Sequence, residues 1–432
     1  MRMLIALVMT LTIFNVYCQP DDQAFLSWTS NNAIRIDSLN PKGGIMAAEP
    51  FKNIIGDAKV VCLGESRHDA HEQAVLKNLF IRFMIEELGF RNFILEASLP
   101  YSQKINDYIK YGKGDIAEIM AGMPGWFLWD TDEMQDIIKW MHDYNKTKKD
   151  IDKVGFFGID IVAPVFGLSQ VMEYIKKVDP DYFGSIREND FAENDFEDEF
   201  WPNSMRKYAS FSQERKLELK ENYLKLMASF NENKSDYIKL SSIDEYELMY
   251  RYAYCAYKAN EMFSSEKRIE MGLIRDRAMA DNALWIINKE NSGRKTIISA
   301  HNVHIAKSDF EMTGEEASIK GMGFMLKQEL GKDMLSIGAT FNKGEYENWN
   351  RVFQESDENT IEGKFAKLGY NTFIIDIRKN DFDILNSPQI IHGQDFEMTT
   401  VPKKSFDVLY FTDNISRSMP SDISLNKYRN MR

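Results

Sequence analysis

Residues 59–72 read Lys-Val-Val-Cys-Leu-Gly-Glu-Ser-Arg-His-Asp-Ala-His-Glu, and this stretch decides the fold. The apolar run from Val60 to Leu63 ends at Gly64, which predicts a short strand buried on both faces. A helical pattern comes next, from about residue 72 to residue 88. Open α/β sheets bind ligands beyond the carboxyl ends of their strands. The acid–base side chains between this strand and this helix therefore predict a functional site.

A second stretch, residues 296–304, repeats the arrangement far along the chain. Its apolar run ends in Ala-His-Asn-Val-His and delivers His301 and His304. Four of the six histidines lie in two His-x-x-His pairs, at 68/71 and 301/304. Since parallel strands share one direction, we expect both pairs to meet at the same edge of a mostly parallel sheet.

Composition limits the possible functions. The 432 residues are 44% hydrophobic and carry a net charge of −13. A chain of this size has room for a large core and predicts an α/β domain with a sizeable insertion. Binding of nucleic acid needs a basic surface, so nucleic acid is excluded as an expected partner.

The N-terminal segment, residues 1–18, has the features of a signal peptide. Arg2 precedes an apolar run from Leu4 to Val16, and a cleavage site is expected after Cys18. The run is too short for a comfortable membrane span. A lipid anchor on Cys18 is the rival interpretation, but the residues before it make a poor lipobox. We expect a secreted or periplasmic protein without stable membrane insertion, whose two remaining cysteines are buried free thiols.

The mature domain, residues 19–432, is expected to contain a central sheet flanked by helices. From about residue 165 to residue 289 strand signals vanish and helical periodicity dominates, which predicts a large helical insertion over the cleft. The aromatic stretch 122–132 is predicted as a loop before a helix at 133–146. Strands are predicted at 59–64, 92–97, 154–160, 296–300, 334–340, 371–377 and 407–411.

Six acid–base residues fall at the predicted carboxyl ends of strands and are expected to share one site: Glu65, His68, Glu96, Asp160, His301 and His304. One chemical interpretation is a metal centre, although the spacing matches neither H-E-x-x-H nor H-x-x-E-H. The other is metal-free hydrolysis, in which a histidine takes a proton from water and a carboxylate orients the imidazole. Histidine suits this role because its ordinary pKa is about 6.5.

Weaker signals are open to structural interpretations. Glu72 falls in the first turn of the predicted helix, where a carboxylate stabilises the helix end. Trp126 and Trp129 either line a pocket or belong to the core. Arg275 and Arg277, on a predicted helix at 267–289, either reach the cleft or form structural salt bridges.

The combined motifs resemble the erythromycin esterase family over about residues 40–410. The resemblance rests on Gly-Glu-x-x-His at 64–68, Phe-Ile-Leu-Glu at 93–96, Gly-Ile-Asp at 158–160, Arg-Asp-Arg-x-Met-Ala at 275–280 and Ala-His-Asn-x-His at 300–304. It implies an α/β fold with a helical portion over a deep cleft, and cofactor-free, metal-independent opening of a macrolide lactone.

The resemblance also implies roles for individual residues. His68 becomes the general base, with Glu65 and Glu96 as its catalytic partners. We assign substrate contacts to His301, His304, Lys77, Asp160 and Arg277. Lys77 departs from the family, which often has arginine there, and lysine offers no bidentate fork. Two alternatives stay open, namely an esterase for another substrate, such as an ester in polysaccharide modification, and a ligand-binding member without turnover.

Overall fold

The computed structural model describes residues 20–39, 48–187, 189–191, 201–289, 293–315, 317–346, 350–393 and 396–430. The predicted signal peptide, residues 1–18, lies outside these ranges. Within them, no helix combines the length and the apolar character that crossing a membrane would require.

The strands are β1 Ile34–Arg35, β2 Val60–Leu63, β3 Phe90–Ser98, β4 Gly155–Asp160, β5 Lys295–Ser299, β6 Glu311–Met312, β7 Met334–Tyr346, β8 Arg351–Phe353, β9 Thr372–Asp376, β10 Gln389–His392, β11 Glu397–Thr400 and β12 Val408–Ile415.

The helices of the first half are α1 Pro20–Asn32, α2 Ala48–Ile55, α3 His71–Glu87, α4 Leu99–Tyr111, α5 Ile116–Ala121, α6 Trp126–Trp129, α7 Asp132–Asn145, α8 Val165–Val178, α9 Pro180–Ser185 and α10 Trp201–Ala209. Those of the second half are α11 Gln213–Glu232, α12 Lys234–Leu240, α13 Ile243–Ser264, α14 Arg268–Lys289, α15 Asn302–Ile305, α16 Met322–Leu330, α17 Ile361–Ala366, α18 Asp383–Asn386, α19 Pro402–Ser405 and α20 Asp422–Asn430.

The central sheet has the strand order β1-β9-β12-β7-β2-β5-β3-β4, and β8 extends it by pairing with the end of β7. The pairs from β12 to β4 are parallel, whereas β1, β8 and β9 pair antiparallel. A separate small sheet has the order β10-β11-β6. The predicted fold class, a mostly parallel sheet flanked by helices, is confirmed.

Helices cover both faces of the sheet, and a hydrophobic cluster lies on each face. A third hydrophobic cluster, formed mainly by helices, lies beside the sheet. The strand β2 is buried at each of its four residues, as the unbroken apolar run predicted. The described part of 165–289 is helical from α8 to α14. Cys62 and Cys255 are buried free thiols. The predicted loop at 122–132 was wrong in part, because Trp126–Trp129 forms one helical turn.

Candidate active site

Strand register brings the predicted acid–base residues to one edge of the sheet. Leu63 and Leu95 both pair with Ser299, and Leu95 also pairs with Gly158. These four residues therefore lie level with one another across β2, β5, β3 and β4. The positions one or two residues further along each strand direction supply Glu65, His301, Glu96 and Asp160 to the same edge, as the rule for parallel sheets predicted.

A β-bulge in β3 aims Glu96 at this edge. Leu95 pairs with Gly158 but Ser98 pairs with Asp160, so β3 holds one more residue than β4 over this interval. A Cβ atom at Gly158 would lie 2.5 Å from the backbone oxygens of Ala97 and Ser98. Glycine at 158 therefore allows the bulge, a device that often redirects a side chain beside an active site.

Gly64 lets the chain after β2 pack against the loop after β5. A Cβ atom at Gly64 would lie 2.3 Å from Oδ1 of Asn302. The Asn302 side chain accepts from the Ala339 N–H at 2.9 Å and donates to its carbonyl at 2.8 Å. The Asn302 N–H donates to the backbone oxygen of Glu65 at 2.8 Å. Asn302 thus fixes the Glu65 loop to both neighbouring strands.

His68 and Glu65 form a hydrogen-bonded dyad. Nδ1 of His68 lies 2.5 Å from Oε1 of Glu65. Burial disfavours the imidazolium, but the bond to Glu65 and the charges of Glu65 and Glu96 outweigh it and raise the pKa of His68 above its ordinary value. His68 lines the cleft described below. This is the arrangement of a histidine base that a carboxylate orients.

Lys77 supports the dyad from behind. Its Nζ bonds to Oε2 of Glu65 and donates to Oγ of Ser299 at 3.0 Å. Burial disfavours the charge of Glu65, yet Lys77 and His68 together lower the pKa of Glu65 to about 2. Lys77 is not among the residues that line the cleft, and its predicted substrate contact stays a prediction. It acts on the site through Glu65.

His301 is neutral and bonds both to the loop that carries His68 and to the side chain of Glu96. Its Nε2 donates to the backbone oxygen of Ser66 at 2.8 Å, and its Nδ1 accepts from the Val303 N–H at 3.4 Å. Burial and the nearby His68 lower the pKa of His301 to about 3. Its backbone N–H donates to Oε2 of Glu96 at 2.9 Å. His301 therefore lines the cleft as a fixed, uncharged ring.

His304 is clamped between two carboxylates. Its Nδ1 lies 2.7 Å from Oδ1 of Asp276, and its Nε2 lies 3.2 Å from Oε1 of Glu96. Burial opposes the imidazolium, but these two charges raise the pKa of His304 to about 10. The raised pKa favours the imidazolium of His304 at neutral pH, a form that cannot accept a proton.

Arg275 joins His304, Glu96, Asp160 and Asp276 in a second charged cluster, separate from the His68–Glu65 dyad. Its Nη2 donates to Oε1 of Glu96 at 2.7 Å and to Oδ2 of Asp160 at 2.6 Å, while its Nε bonds to both oxygens of Asp160. Asp160 also accepts from the backbone N–H groups of Ile161 and Val162. Asp160 lines the cleft and holds Arg275 through these bonds, and its predicted substrate contact stays a prediction.

The site opens into a cavity of about 610 Å³. Its floor carries His68, Glu96, Asp160, Arg275, Asp276, His301 and His304. Apolar side chains form most of the wall: Leu128, Trp129, Val162, Met205, Met262, Met271, Val303, Phe310, Met312, Ile319 and Phe396. The ring of Trp129 meets that of His68 edge-on, with 5.0 Å between centroids. A large apolar substrate with one polar reacting group suits such a cleft.

Two residues of the sequence motifs lie away from the cleft. Arg277 is exposed on α14 and is absent from the cleft lining, because α14 turns Asp276 inward and position 277 outward. Its predicted substrate contact stays a prediction, and Arg275 takes the inward place. His71 bonds through Nδ1 to Oε1 of Glu133, away from the cleft.

Sequence reasoning missed Asp276 as the partner of His304. The buried residues of α14 include positions 276, 279, 283 and 286, which share one helical face. A carboxylate on an otherwise apolar face was a signal for this buried pair. The wall residue Phe396 was also missed, since it precedes β11 of the small sheet, which had not been predicted.

Among the described residues, no group of three or more His, Cys, Asp or Glu side chains has the arrangement of a metal site. The donor chemistry agrees with this geometry, because His304 is already paired with Asp276 and Glu96. Metal independence stays a prediction.

Comparison with known proteins places this geometry in a family. Residues 85–415 match the sequence model of the family named erythromycin esterase. The chain is 27% identical over 430 residues to erythromycin esterase type II of Escherichia coli, and the match covers 92% of this chain and 99% of that protein.

Solved structures agree on the fold. A protein described as a succinoglycan biosynthesis protein superposes with a TM-score of 0.77 at 24% identity, covering 93% of this chain and all of its own. A mutant of erythromycin esterase EreC in its open conformation superposes with a TM-score of 0.74 at 16% identity, covering 91% of this chain and 99% of its own. The chain therefore belongs to the erythromycin esterase family, a family of ester hydrolases.

Proposed function

We propose that this protein hydrolyses a macrolide lactone with His68 as the general base. The observation that carries the proposal is the dyad at the floor of a large apolar cleft. His68 lines the cleft, and Glu65, itself held by Lys77, fixes its Nδ1. The ring nitrogen that takes the proton is then Nε2.

The reaction has two proton transfers. His68 takes a proton from water while the water oxygen attacks the lactone carbonyl carbon, which gives a tetrahedral oxyanion. The imidazolium then returns the proton to the alkoxide oxygen as the ring C–O bond breaks. The product is an open-chain hydroxy acid, whose carboxyl group releases a proton to solvent.

Directed N–H groups stabilise the oxyanion, and the net charge of the cluster around Glu96 does not. The second cluster holds two cations, Arg275 and His304, against three carboxylates, Glu96, Asp160 and Asp276. Their sum is negative, so the cluster as a whole does not attract an anion. Arg275 lines the cleft with a quarter of its side chain exposed, and we assign it the contact with the oxyanion.

The test is incubation of the purified protein with a panel of macrolides, followed by mass spectrometry. We expect a product heavier by one water, and the same rate after prolonged EDTA treatment. Loss of activity on chelation that zinc or manganese restores would contradict the metal-free mechanism. Intact macrolides after incubation at high enzyme concentration would contradict the choice of substrate.

A second candidate is an ester attached to a polysaccharide. It draws on the structural neighbour described as a succinoglycan biosynthesis protein. The apolar wall favours the lactone, because an acylated sugar chain would bring many hydroxyl groups against methionine and aromatic side chains. Acylated oligosaccharides in the same panel separate the two candidates.

Export stays a proposal and has its own test. We expect the mature protein from its host to begin near Gln19, because residues 1–18 have the pattern of a signal peptide. Mass spectrometry that found Met1 on the mature chain would contradict it.

A further inference from the structure

The segment after β12, residues 416–430, contacts two segments of the chain that each adjoin a cleft residue, His68 or Trp129; we call it the C-terminal clamp. Its first contact is with the loop directly after His68. The Ser418 N–H donates to the backbone oxygen of Asp69, and the His71 N–H donates to that of Ser416, both at 2.9 Å. Residues 70 and 417 form an antiparallel bridge.

Glu72 strengthens this first contact. Its two carboxylate oxygens accept from the Ser416 N–H at 2.6 Å and from the Ser416 hydroxyl at 2.7 Å. Glu72 lies in the first turn of α3, where a carboxylate also stabilises the helix end. The loop that carries His68 is thus tied to the clamp on its C-terminal side.

The second contact is with the wall segment around Trp129. The Asp132 N–H donates to the backbone oxygen of Met419 at 3.0 Å, and the Ser421 N–H donates to that of Asp130 at 3.1 Å. Thr131 and Pro420 form a further antiparallel bridge. The backbone directly after Trp129 is thereby held to the clamp.

Buried side-chain bonds fix α20 to the same segment. Asp130 is fully buried, and its Oδ2 accepts from the hydroxyls of Ser421 and Ser424. The Tyr428 hydroxyl donates to the backbone oxygen of Phe127 at 3.0 Å, and its ring packs on Trp126 with 4.9 Å between centroids. A buried carboxylate that loses its donors is costly, so these bonds define one docked position.

The two clamped regions meet inside the cleft, where the ring of Trp129 contacts that of His68. We propose that the C-terminal clamp is a positioning element, which sets the distance between the base and the apolar wall that faces it. The proposal rests on the proposed function for its kinetic readout, but its structural readout is independent of substrate. Small misplacements of a base carry a large penalty in rate, up to about 100-fold for 1 Å.

The test compares two matched tyrosines. Tyr428→Phe removes one hydroxyl that donates to a backbone oxygen at 3.0 Å, and Tyr246→Phe removes the same bond, to Phe230 at 3.0 Å, within the helical cluster. We expect both variants to lose about 1–2 °C in Tm. Only Tyr428→Phe should lower kcat, by about three- to tenfold, and raise amide hydrogen exchange in residues 126–132.

A stronger variant removes both hydroxyls that Asp130 accepts from, Ser421→Ala with Ser424→Ala. We expect exchange to rise in both 69–72 and 126–132, kcat to fall about tenfold or more, and the acid midpoint of kcat/KM to move down towards the ordinary histidine value as the bond between His68 and Glu65 loosens. A purely structural loss would leave that midpoint unchanged.

Unchanged exchange in both segments of the serine double variant would overturn the clamp, whatever the activity. Equal kcat losses in the two tyrosine variants would overturn it as well. If the wild type hydrolyses no ester, the proposed function fails, and the exchange measurement still decides the clamp. If the serine double variant does not fold, the tyrosine pair decides it.

Discussion

His68 and His304 lie at the same edge of one sheet and differ in the carboxylates that hold them. Nδ1 of His68 bonds to Glu65, and the pKa of His68 rises. His304 bonds to Asp276 and Glu96, which raise its pKa to about 10. The comparison teaches that strand topology gathers histidines, whereas their partners decide which one accepts a proton near neutral pH.

The largest expected effect comes from removing the imidazole of His68. His68→Asn should lower kcat by about 10²–10⁴-fold, the usual contribution of general-base catalysis. We expect Tm to change little, because asparagine can still donate to Glu65 and Lys77 remains in place. Steady-state kinetics on a hydrolysed macrolide, together with a thermal melt, measure both.

His71→Asn is the matched control. His71 is the first residue of α3, three positions after His68, and bonds to Glu133 through the same ring nitrogen, but it does not line the cleft. Its variant should keep kcat within about twofold. Equal losses in the two variants would mean that the loop matters and His68 is no base.

Removal of the cation behind the dyad should have the next largest effect. Lys77→Met leaves the buried carboxylate of Glu65 without its cation, and breaking a buried pair costs about 3–5 kcal/mol of unfolding free energy. We expect kcat to fall about 10- to 100-fold as Glu65 loses its hold on His68. Denaturant titration and kinetics give the two numbers.

Lys77→Arg is the conservative counterpart, since arginine keeps the charge. It should recover most of the lost stability and activity. A substrate-contact role for Lys77 would instead show as a rise in KM in Lys77→Met with kcat unchanged.

The charge of His304 is tested by measuring how the stability of the protein depends on pH. A histidine whose pKa is raised by folding stabilises the folded state fully below its unfolded pKa, about 6.5, and loses this contribution as pH rises through about 10. The Tm difference between wild type and His304→Asn should therefore be largest near pH 6.5 and shrink towards pH 10. A difference that stays constant across this window would show that His304 is not a cation.

The smallest expected effect belongs to Arg277. Its side chain is exposed and lies off the cleft, so Arg277→Ala should keep kcat within about twofold and stability within about 0.5 kcal/mol. A tenfold loss of kcat would show that Arg277 reaches the substrate and that the assignment to Arg275 is incomplete.

The sequence predicted which residues lie at the carboxyl edge of the sheet, because the rule depends only on where each strand ends and on the direction in which it runs. An apolar run places a strand, and parallel strands bring the residues after their carboxyl ends to one side of the sheet. Glu65, Glu96, Asp160, His301 and His304 were therefore gathered correctly. The same rule could not foresee the bulge that aims Glu96, because a bulge depends on the partner strand.

Distances across elements could not be predicted from the sequence. Whether α14 turns residue 275 or residue 277 inward depends on how the helix packs, and Lys77 lies behind the dyad because α3 packs against the sheet there. The C-terminal clamp was missed for the same reason. Its short polar segment has no pattern of its own, and its contacts join residues about 290 to 350 positions apart.

The most direct test of the account is the pH dependence of kcat/KM between pH 5 and pH 9. The base must be neutral in the free enzyme, so the rate should fall as pH falls through the pKa of His68, with a midpoint above the ordinary value of about 6.5. The residual activity of His68→Asn should lack this limb. A midpoint well below 6.5, or a limb that survives in His68→Asn, would contradict the assignment of His68 as the base.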